Sequence, residues 1–254
     1  MEETLLKIRE VRKHFGGVYA VNGVNMDVKE GGICGLVGPN GSGKTTLFNT
    51  ILGLHKPDQG AIYFNGNCIN NLAPHQIYKL GLVNVFQLPR VFLQMGVLDN
   101  MLVAARDHQG DRLLNSLFRR KGWQEQERGM IEEALDLLEL VELGKLAFSP
   151  AWELSGGQRK LLELARGLMA EPALLLLDEP AAGINPVLGK SIFQRLQGFS
   201  RNGITFFIVE HRLEILFEFA SWVYVMDKGR TVTQGEPQQV VNDPAFYQAY
   251  LGEG

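Results

Sequence analysis

A glycine-rich segment, Gly38–Thr45, constrains this chain more than any other part of its sequence. The stretch before it, Ile33–Val37, is apolar on both faces, which is typical of a buried central strand, and Thr45–Leu54 has the pattern of a helix. A strand, a G-x-x-x-x-G-K-[ST] loop and a helix in this order predict a phosphate-binding loop, because glycines let backbone N–H groups converge on phosphate oxygens. The alternative is a glycine turn with an incidental Lys-Thr pair.

The residues of this loop have separate predicted roles in holding a nucleotide. Lys44 places an ammonium on the outer phosphates, and the Thr45 hydroxyl can ligate Mg²⁺. The helix start at Gly43 adds unpaired N–H groups and the positive end of the helix dipole. The predicted nucleotide-binding residues of this segment are Gly38, Pro39, Asn40, Gly41, Ser42, Gly43, Lys44, Thr45 and Thr46.

Strand and helix patterns alternate along most of the chain, which predicts an α/β fold with a mainly parallel sheet covered by helices. Leu5–Val11 and Gly23–Lys29 are predicted to be strands that pair near the N-terminus. From about residue 97 to residue 170 the apolar spacing is helical and strand patterns are absent. The other predicted elements are strands Ala61–Phe64, Leu82–Phe86, Ala173–Leu177, Ile204–Val209, Ser221–Met226 and Arg230–Gln234, and helices Pro186–Gln197, Arg212–Phe219 and Pro237–Tyr250.

Two adjacent acidic residues, Asp178 and Glu179, follow the apolar strand that ends at Leu177. In open α/β sheets, ligands bind at the carboxyl ends of the strands. Asp178 would orient a magnesium-bound water and joins Thr45 as a predicted metal residue, while Glu179 is the predicted base that polarises the attacking water. A solvated acidic turn is the alternative. The chain has no Asn-Lys-x-Asp guanine motif, which favours ATP over GTP.

A second anion-binding helix start is predicted at Leu154–Gln158, a loop that opens an apolar helix. One nucleotide gains little from two phosphate sites on the same face of one subunit. The arrangement therefore indicates a loop that covers the ATP of a second subunit, with Ser155, Gly156, Gly157 and Gln158 as further nucleotide contacts. Alone, this motif could be an ordinary helix cap.

With these three motifs in this order, the whole chain resembles the ATP-binding subunits of ABC transporters, whose signature is Leu-Ser-Gly-Gly-Gln. The resemblance implies a P-loop NTPase (RecA-like) fold: a mainly parallel sheet with helices on both faces, an N-terminal antiparallel β subdomain and an inserted α-helical signature subdomain. It also implies one nucleotide-binding domain over residues 1–254. Residues 1–90 and 171–254 would form the core and the antiparallel part, and residues 91–170 the helical subdomain.

Three further positions match family residues that act on ATP. Phe15 matches the aromatic that stacks on adenine, with a stray core phenylalanine as the alternative. Gln87 matches the glutamine that contacts Mg²⁺ and water and reports to the membrane subunit, and His211 matches the histidine that contacts the γ-phosphate. The resemblance therefore implies Glu179, His211 and Gln87 as catalytic residues. Asn185 departs from the family pattern, which has an aspartate there, and leaves one contact across the dimer open.

Shorter strings resemble the importers of branched-chain amino acids, specifically their longer, LivG-type subunit. These strings are Glu179–Pro186, Pro74-His75 with Leu80-Gly81, Val97–Asn100, Asp107–Trp123 and Ala249–Glu253. Related urea or amide importers stay open, because the transported molecule does not touch this subunit in the family architecture. The implied partners are a second ABC ATPase, which would be a paralogue with a homodimer as an in-vitro form, permease subunits and, indirectly, a substrate-binding protein. Residues Gln87–Leu93 would form the permease groove or pack under the helical lobe.

Composition limits the partners and the location. The 254 residues carry a net charge of -3, and the basic cluster Arg119–Lys121 is interpreted as a solvated helix end, so no nucleic-acid partner is expected. No apolar run approaches the roughly 20 residues that span a bilayer, and the acidic N-terminus lacks an export segment. The predicted location is the cytoplasmic face of the inner or plasma membrane, reached through the permeases. A soluble ABC ATPase outside transport and a regulatory module without turnover are the rival classes.

Overall fold

The computed structural model describes residues 3–85, 91–105 and 120–251, with only the backbone for residues 120–126. Residue contacts divide the chain into two units, Met1–Gln87 with Ala173–Gly254, and Leu88–Pro172. The subdomain boundaries expected from the sequence, at residues 90 and 170, stay a prediction. Two sequence predictions concern positions outside the described residues, namely Gln87 and the basic cluster at Arg119. Most of the predicted lobe Asp107–Trp123 also lies outside them.

The first unit contains two sheets. Its strands are β1 (Thr4–Phe15), β2 (Val18–Lys29), β3 (Gly32–Val37), β4 (Gln59–Phe64), β5 (Asn67–Cys68), β6 (Leu82–Val85), β7 (Leu174–Asp178), β8 (Thr205–Val209), β9 (Trp222–Asp227) and β10 (Arg230–Gly235). Six strands form one sheet in the order β10-β9-β3-β8-β7-β6, in which all pairs are parallel except β9 with β10. The other sheet is antiparallel in the order β2-β1-β4-β5.

The central strands of the parallel sheet are buried on both faces. Residues Leu174–Leu177 of β7 and Thr205–Val209 of β8 are all buried, as their unbroken apolar runs predict. Helices of the same unit pack on this sheet. One of them is α1 (Lys44–Ile51), the next element after β3, whose Phe48 contacts the ring of Phe207 on β8 at 5.1 Å between centroids. Because β3, β8 and β7 are parallel neighbours, their carboxyl ends lie at the same edge of the sheet.

A tyrosine hydroxyl joins the two sheets of this unit. Tyr224 on β9 accepts a hydrogen bond from the backbone N–H of Asp27 on β2 and donates one to the Asp27 carbonyl, both at 2.8 Å. Because β2 is an edge strand, this hydroxyl satisfies backbone groups that no neighbouring strand can reach. Burial raises the pKa of Tyr224 to about 12.

Further helices complete both units. The first unit also contains α2 (Pro74–Lys79), and the second contains α3 (Val97–Ala104), α4 (Arg120–Leu140) and α5 (Gly156–Leu168). The first unit ends with α6 (Pro186–Arg201), α7 (Leu213–Phe219), α8 (Pro237–Val241) and α9 (Pro244–Leu251). Among the described residues, none of these helices combines the length and apolar character that crossing a bilayer requires.

In the described part of the second unit, helices α3, α4 and α5 pack around apolar side chains and one buried amide. Met101 on α3 and Leu138 on α4 are fully buried, and so is Leu162 on α5. Asn100, also fully buried, donates to the carbonyls of Phe92 and Gly96 and accepts from the Phe92 N–H. The side chain of Asn100 therefore holds the loop before α3 on the helical unit.

Three sequence predictions of helix extent were wrong. The helix predicted as Pro186–Gln197 continues to Arg201. The stretch Pro237–Tyr250 is two helices, because Pro244 cannot continue the helix that ends at Val241. The helix after the glycine loop ends at Ile51 rather than Leu54, and Gly53 follows with φ 72°. The strand predicted as Leu82–Phe86 is described as far as Val85.

Candidate functional site

The glycine-rich loop has a backbone that only glycine can adopt at two of its positions. Gly38 has φ 149° and Gly43 has φ 103°. A Cβ at Gly38 would lie 2.1 Å from the carbonyl oxygen of Met226, and a Cβ at Gly43 would lie 2.1 Å from that of Ala20. The loop is thus fixed between strands β3, β9 and β2, and Gly43 is the N-cap of α1 without a side-chain cap. The first-turn N–H groups of α1 are the donors that a phosphate needs.

Lys44 lies across the inside of this loop. It is 6% exposed, and its Nζ donates to the carbonyl oxygens of Gly38 and Pro39, both at 2.8 Å. Burial lowers the pKa of Lys44, while the charges of Glu179 and Asp178 act in the opposite direction. Lys44, which is predicted to bind phosphate, therefore lies close enough to Asp178 and Glu179 for their charges to stabilise its protonated form. Thr45, in the first turn of α1, is exposed.

The acidic pair lies where β7 ends. The backbone N–H of Glu179 donates to the carbonyl of Val209 at 2.9 Å, which continues the pairing of β7 with β8 by one residue. Burial raises the pKa of Asp178, and the neighbouring Glu179 raises it further. Glu179 itself has φ 50°, a left-handed conformation that is uncommon outside glycine and is often found at functional sites.

The structure brings Glu179 and His211 into direct contact. His211 Nε2 lies 2.8 Å from Glu179 Oε1, and the two side chains are 40% and 19% exposed. This pair joins the carboxyl ends of β7 and β8, the edge at which β3 enters the glycine loop. A base and a histidine in hydrogen-bond contact, beside a lysine-bearing phosphate loop, can orient a water molecule for attack on a phosphate.

Sequence reasoning missed Glu210, which is 1% exposed and follows β8 directly. Its Oε1 accepts hydrogen bonds from the backbone N–H groups of His211 and Arg212, and its Oε2 accepts one from Ala181. A usable signal was present, since Ile-Val-Glu-His places an ionisable residue at the end of an apolar strand, as Leu-Leu-Asp-Glu does in β7.

In the second unit, the segment Leu154–Gln158 forms a capped helix start. Ser155 is the N-cap of α5, and its hydroxyl accepts from the N–H of Gln158 at 3.3 Å, while Gln158 Oε1 accepts from the N–H of Ser155 at 2.8 Å. This reciprocal capping box holds Gly156 and Gly157 in the first helical turn. Contact of these residues with the nucleotide of a partner stays a prediction.

The remaining predicted positions are placed as follows. Phe15 is 48% exposed and contacts the ring of His55 at 5.2 Å between centroids, so it is a surface aromatic rather than a core residue. Asn185 is the N-cap of α6, and its Oδ1 accepts from the N–H of Leu188 at 2.8 Å. Phe92, in the predicted permease groove, is 48% exposed. Its role in docking stays a prediction.

The fold and this arrangement of loop, carboxylates and histidine define a P-loop nucleotide-hydrolysing protein. The sequence model of the ABC transporter family matches residues 21–182. The chain therefore belongs to the ABC transporter family, as an ATP-binding cassette with ATPase activity. The family, the cassette fold and ATP binding that the sequence predicted are confirmed.

The similar proteins cover nearly all of this chain. A probable branched-chain amino acid transport ATP-binding protein LivG of Archaeoglobus fulgidus is 41% identical over 248 residues, which are 98% of this chain and 95% of that protein. The crystal structure of the ADP conformation of MJ1267, an ATP-binding cassette of an ABC transporter, is 39% identical, with a TM-score of 0.85 over 99% of this chain and all of that one. A dimeric post-hydrolysis structure of the cassette MJ0796, bound to ADP and Pi, is 26% identical, with a TM-score of 0.73 over 92% of this chain and 99% of that one.

Proposed function

We propose that this chain is the ATP-hydrolysing subunit of an importer for branched-chain amino acids. The contact between Glu179 and His211, beside the loop that holds Lys44, carries the hydrolytic part of the proposal. The transported substrate is supported by the full-length similarity to the LivG protein of Archaeoglobus fulgidus. The chain would act at the cytoplasmic face of the membrane through permease subunits.

Each side chain of the site has a definite part in the proposed reaction. Lys44 would exchange its two loop carbonyls for oxygens of the outer phosphates, and the N–H groups of α1 would bind the same phosphates. Glu179 would accept the proton of the attacking water, and His211 would orient that water and contact the γ-phosphate. Phe15, exposed on β1, would stack on adenine.

The oxygen donors at this edge fit Mg²⁺. Asp178 supplies a carboxylate and Thr45 an exposed hydroxyl, and Mg²⁺ is usually held by one or two such groups together with phosphate oxygens. When bound, the ion would neutralise charge on the phosphates. Gln87 would be a third contact of the same ion.

A second cassette would complete the site, with Ser155–Gln158 of one subunit covering the ATP held by Lys44 and Thr45 of the other. The capping box at Ser155 supports this, because it leaves a helix N-terminus preformed for an anion. The dimer of MJ0796 bound to ADP and Pi supports pairing of cassettes of this kind. The partner would be a paralogue in the importer and a second copy of this chain in vitro.

Two substitutions test the hydrolytic site. Glu179→Gln should lower the rate of phosphate release at least 100-fold, because a general base contributes about 10²–10⁴ in rate, while ATP binding is kept and closed dimers accumulate. Lys44→Ala should weaken ATP binding at least tenfold, because charge-assisted hydrogen bonds of about 1.5–3 kcal/mol each are lost. Hydrolysis by Glu179→Gln near the unmodified rate would refute the base assignment, and unchanged ATP affinity of Lys44→Ala would refute the assignment of the phosphate loop.

The substrate is tested in vesicles that contain the chain, its permeases and its second cassette, supplied with the binding protein. ATP-dependent uptake of labelled leucine, abolished by Glu179→Gln, is the expected result. Uptake of urea or a short amide without leucine would assign the chain to a related importer. Failure of the chain to co-purify with any membrane complex would favour an ATPase outside transport.

A further inference from the structure

A buried carboxylate links two segments of the hydrolytic site that are distant in sequence. Glu210 accepts the N–H groups of His211 at 3.0 Å and Arg212 at 3.2 Å through Oε1, and the N–H of Ala181 at 3.1 Å through Oε2. Both oxygens therefore act as acceptors from the backbone. The link connects the segment after β8 with the segment that follows Glu179.

The same two segments are linked again by Arg212. Its Nη1 lies 3.5 Å from the carbonyl oxygen of Ala181 and 3.4 Å from that of Ile184, as a donor to both. The Ala181 residue is thus held at its N–H by Glu210 and at its carbonyl by Arg212, and it is fully buried. These contacts fix the backbone from Ala181 to Ile184 against the residues around His211.

We propose that Glu210 is a positioning residue for ATP hydrolysis, which holds Glu179 and His211 at their contact distance by cross-linking the backbone segments that carry them. Glu179 lies two residues before Ala181, and His211 lies next to Glu210, so each end of the cross-link lies within two residues of one member of the pair. This inference rests on the proposed function, because it assumes that the pair acts on the water that attacks ATP.

Loss of the cross-link is expected to lower the turnover rate of ATP hydrolysis and to leave nucleotide binding unchanged. Lys44 and the start of α1 belong to a different segment of the chain and have no contact with the oxygens of Glu210 among the described hydrogen bonds. A misplacement of about 1 Å in a reacting group can cost about 100-fold in rate, whereas phosphate binding depends on donors that this change leaves in place. A residue that served folding alone would not separate kcat from KM in this way.

The main test is Glu210→Asp in the full chain. Aspartate readily accepts from the N–H two residues on, so the bond to Arg212 can persist. A side chain shorter by one carbon–carbon bond, about 1.5 Å, cannot also reach Ala181, because the present distance of 3.1 Å is already near the limit of a hydrogen bond. We expect kcat for ATP to fall at least tenfold and KM to stay within twofold.

A second variant and a matched control complete the test. Glu210→Gln keeps the size of the side chain but turns one acceptor into a donor that faces a backbone N–H, so kcat should fall at least as far as in Glu210→Asp. Glu214→Gln makes the same chemical change at an exposed position in the first turn of α7 and should leave both constants within twofold. If Glu210→Gln does not fold, as judged by circular dichroism, the result for Glu210→Asp decides.

The outcomes separate this inference from the proposed function. If the unmodified chain hydrolyses ATP, Glu179→Gln does not, and Glu210→Asp keeps kcat within twofold, the positioning role is refuted and the base assignment stands. A parallel loss of ATP affinity and kcat in Glu210→Asp would also refute it, because that result indicates general disruption of the site. If Glu179→Gln hydrolyses ATP at the unmodified rate, the base assignment of the proposed function fails first.

Discussion

The substitution Gly43→Ala tests whether the phosphate loop is fixed by close approach of the backbone rather than by sequence motif alone. Gly43 has φ 103°, and an added Cβ would lie 2.1 Å from the carbonyl oxygen of Ala20 on β2. Carbon–oxygen contacts in proteins are normally no closer than about 3.3 Å, so the backbone of the loop or of β2 must move. Because the main chain fixes the position of the Cβ and the carbonyl oxygen belongs to the main chain, no side-chain rotation can relieve the overlap.

The magnitude follows from two contributions. Holding an alanine in this region of backbone space costs about 1–3 kcal/mol, and forcing an extra carbon into a packed site costs typically about 1–3 kcal/mol more. We therefore expect Gly43→Ala to lower the free energy of unfolding by about 2–6 kcal/mol. Nucleotide binding should fall at least tenfold, because the displaced loop no longer directs its N–H groups and Lys44 to one point.

A matched control isolates the steric part of this cost. Gly66 also has a positive φ, 76°, but a Cβ there meets nothing within 4 Å. Gly66→Ala therefore carries the backbone strain of about 1–2 kcal/mol without the overlap, and ATP affinity should stay within twofold. Urea unfolding followed by circular dichroism and titration with a fluorescent ATP analogue measure both quantities. Equal stability and equal nucleotide affinity of the two variants would refute the close-approach argument.

Two further predictions concern stability. The backbone N–H of His14 and the ammonium of Lys13 lower the pKa of Asp58 from 3.8 to about 2. The contribution of Asp58 to the free energy of unfolding is therefore complete above pH 4 and is lost as the pH falls through 2. In acid titrations, Asp58→Asn should flatten the pH dependence of that free energy over this window, and an unchanged slope would contradict the assignment. Asn185→Ala should lower the unfolding free energy by about 1 kcal/mol, because the N-cap bond to Leu188 is lost. Asn185→Asp, an equally good cap, should stay within about 0.5 kcal/mol of the unmodified chain in urea unfolding. Equal losses in both variants would exclude capping as the role of this side chain.

The Asn185 cap also explains part of a departure from the family pattern. Asparagine and aspartate cap helices about equally well, so this position keeps the start of α6 with either residue. The local role of the side chain is therefore independent of its charge. A contact of Asn185 with a second cassette stays a prediction.

The sequence by itself determined the features that depend on short stretches of chain. The loop Gly38–Thr45 could be identified because glycine spacing, an apolar strand before it and a helix after it are all local patterns. The capping box at Ser155 and Gln158 likewise depends on four consecutive residues. The buried strands β7 and β8 follow from unbroken apolar runs. Where elements begin and end was predicted less well, as at Pro244, where one helix was predicted and two are present.

Tertiary structure alone decided which strand ends are neighbours and what lies between them. Sequence placed Glu179 and His211 each after a strand, but strand order in a sheet is set by long-range packing, which local patterns do not encode. The pairing of β7 with β8 brings the side chains of Glu179 and His211 to a distance of 2.8 Å. It also places the buried carboxylate of Glu210 where it accepts a hydrogen bond from the N–H of Ala181. The candidate residues could therefore be predicted from the sequence, whereas their geometry required the fold.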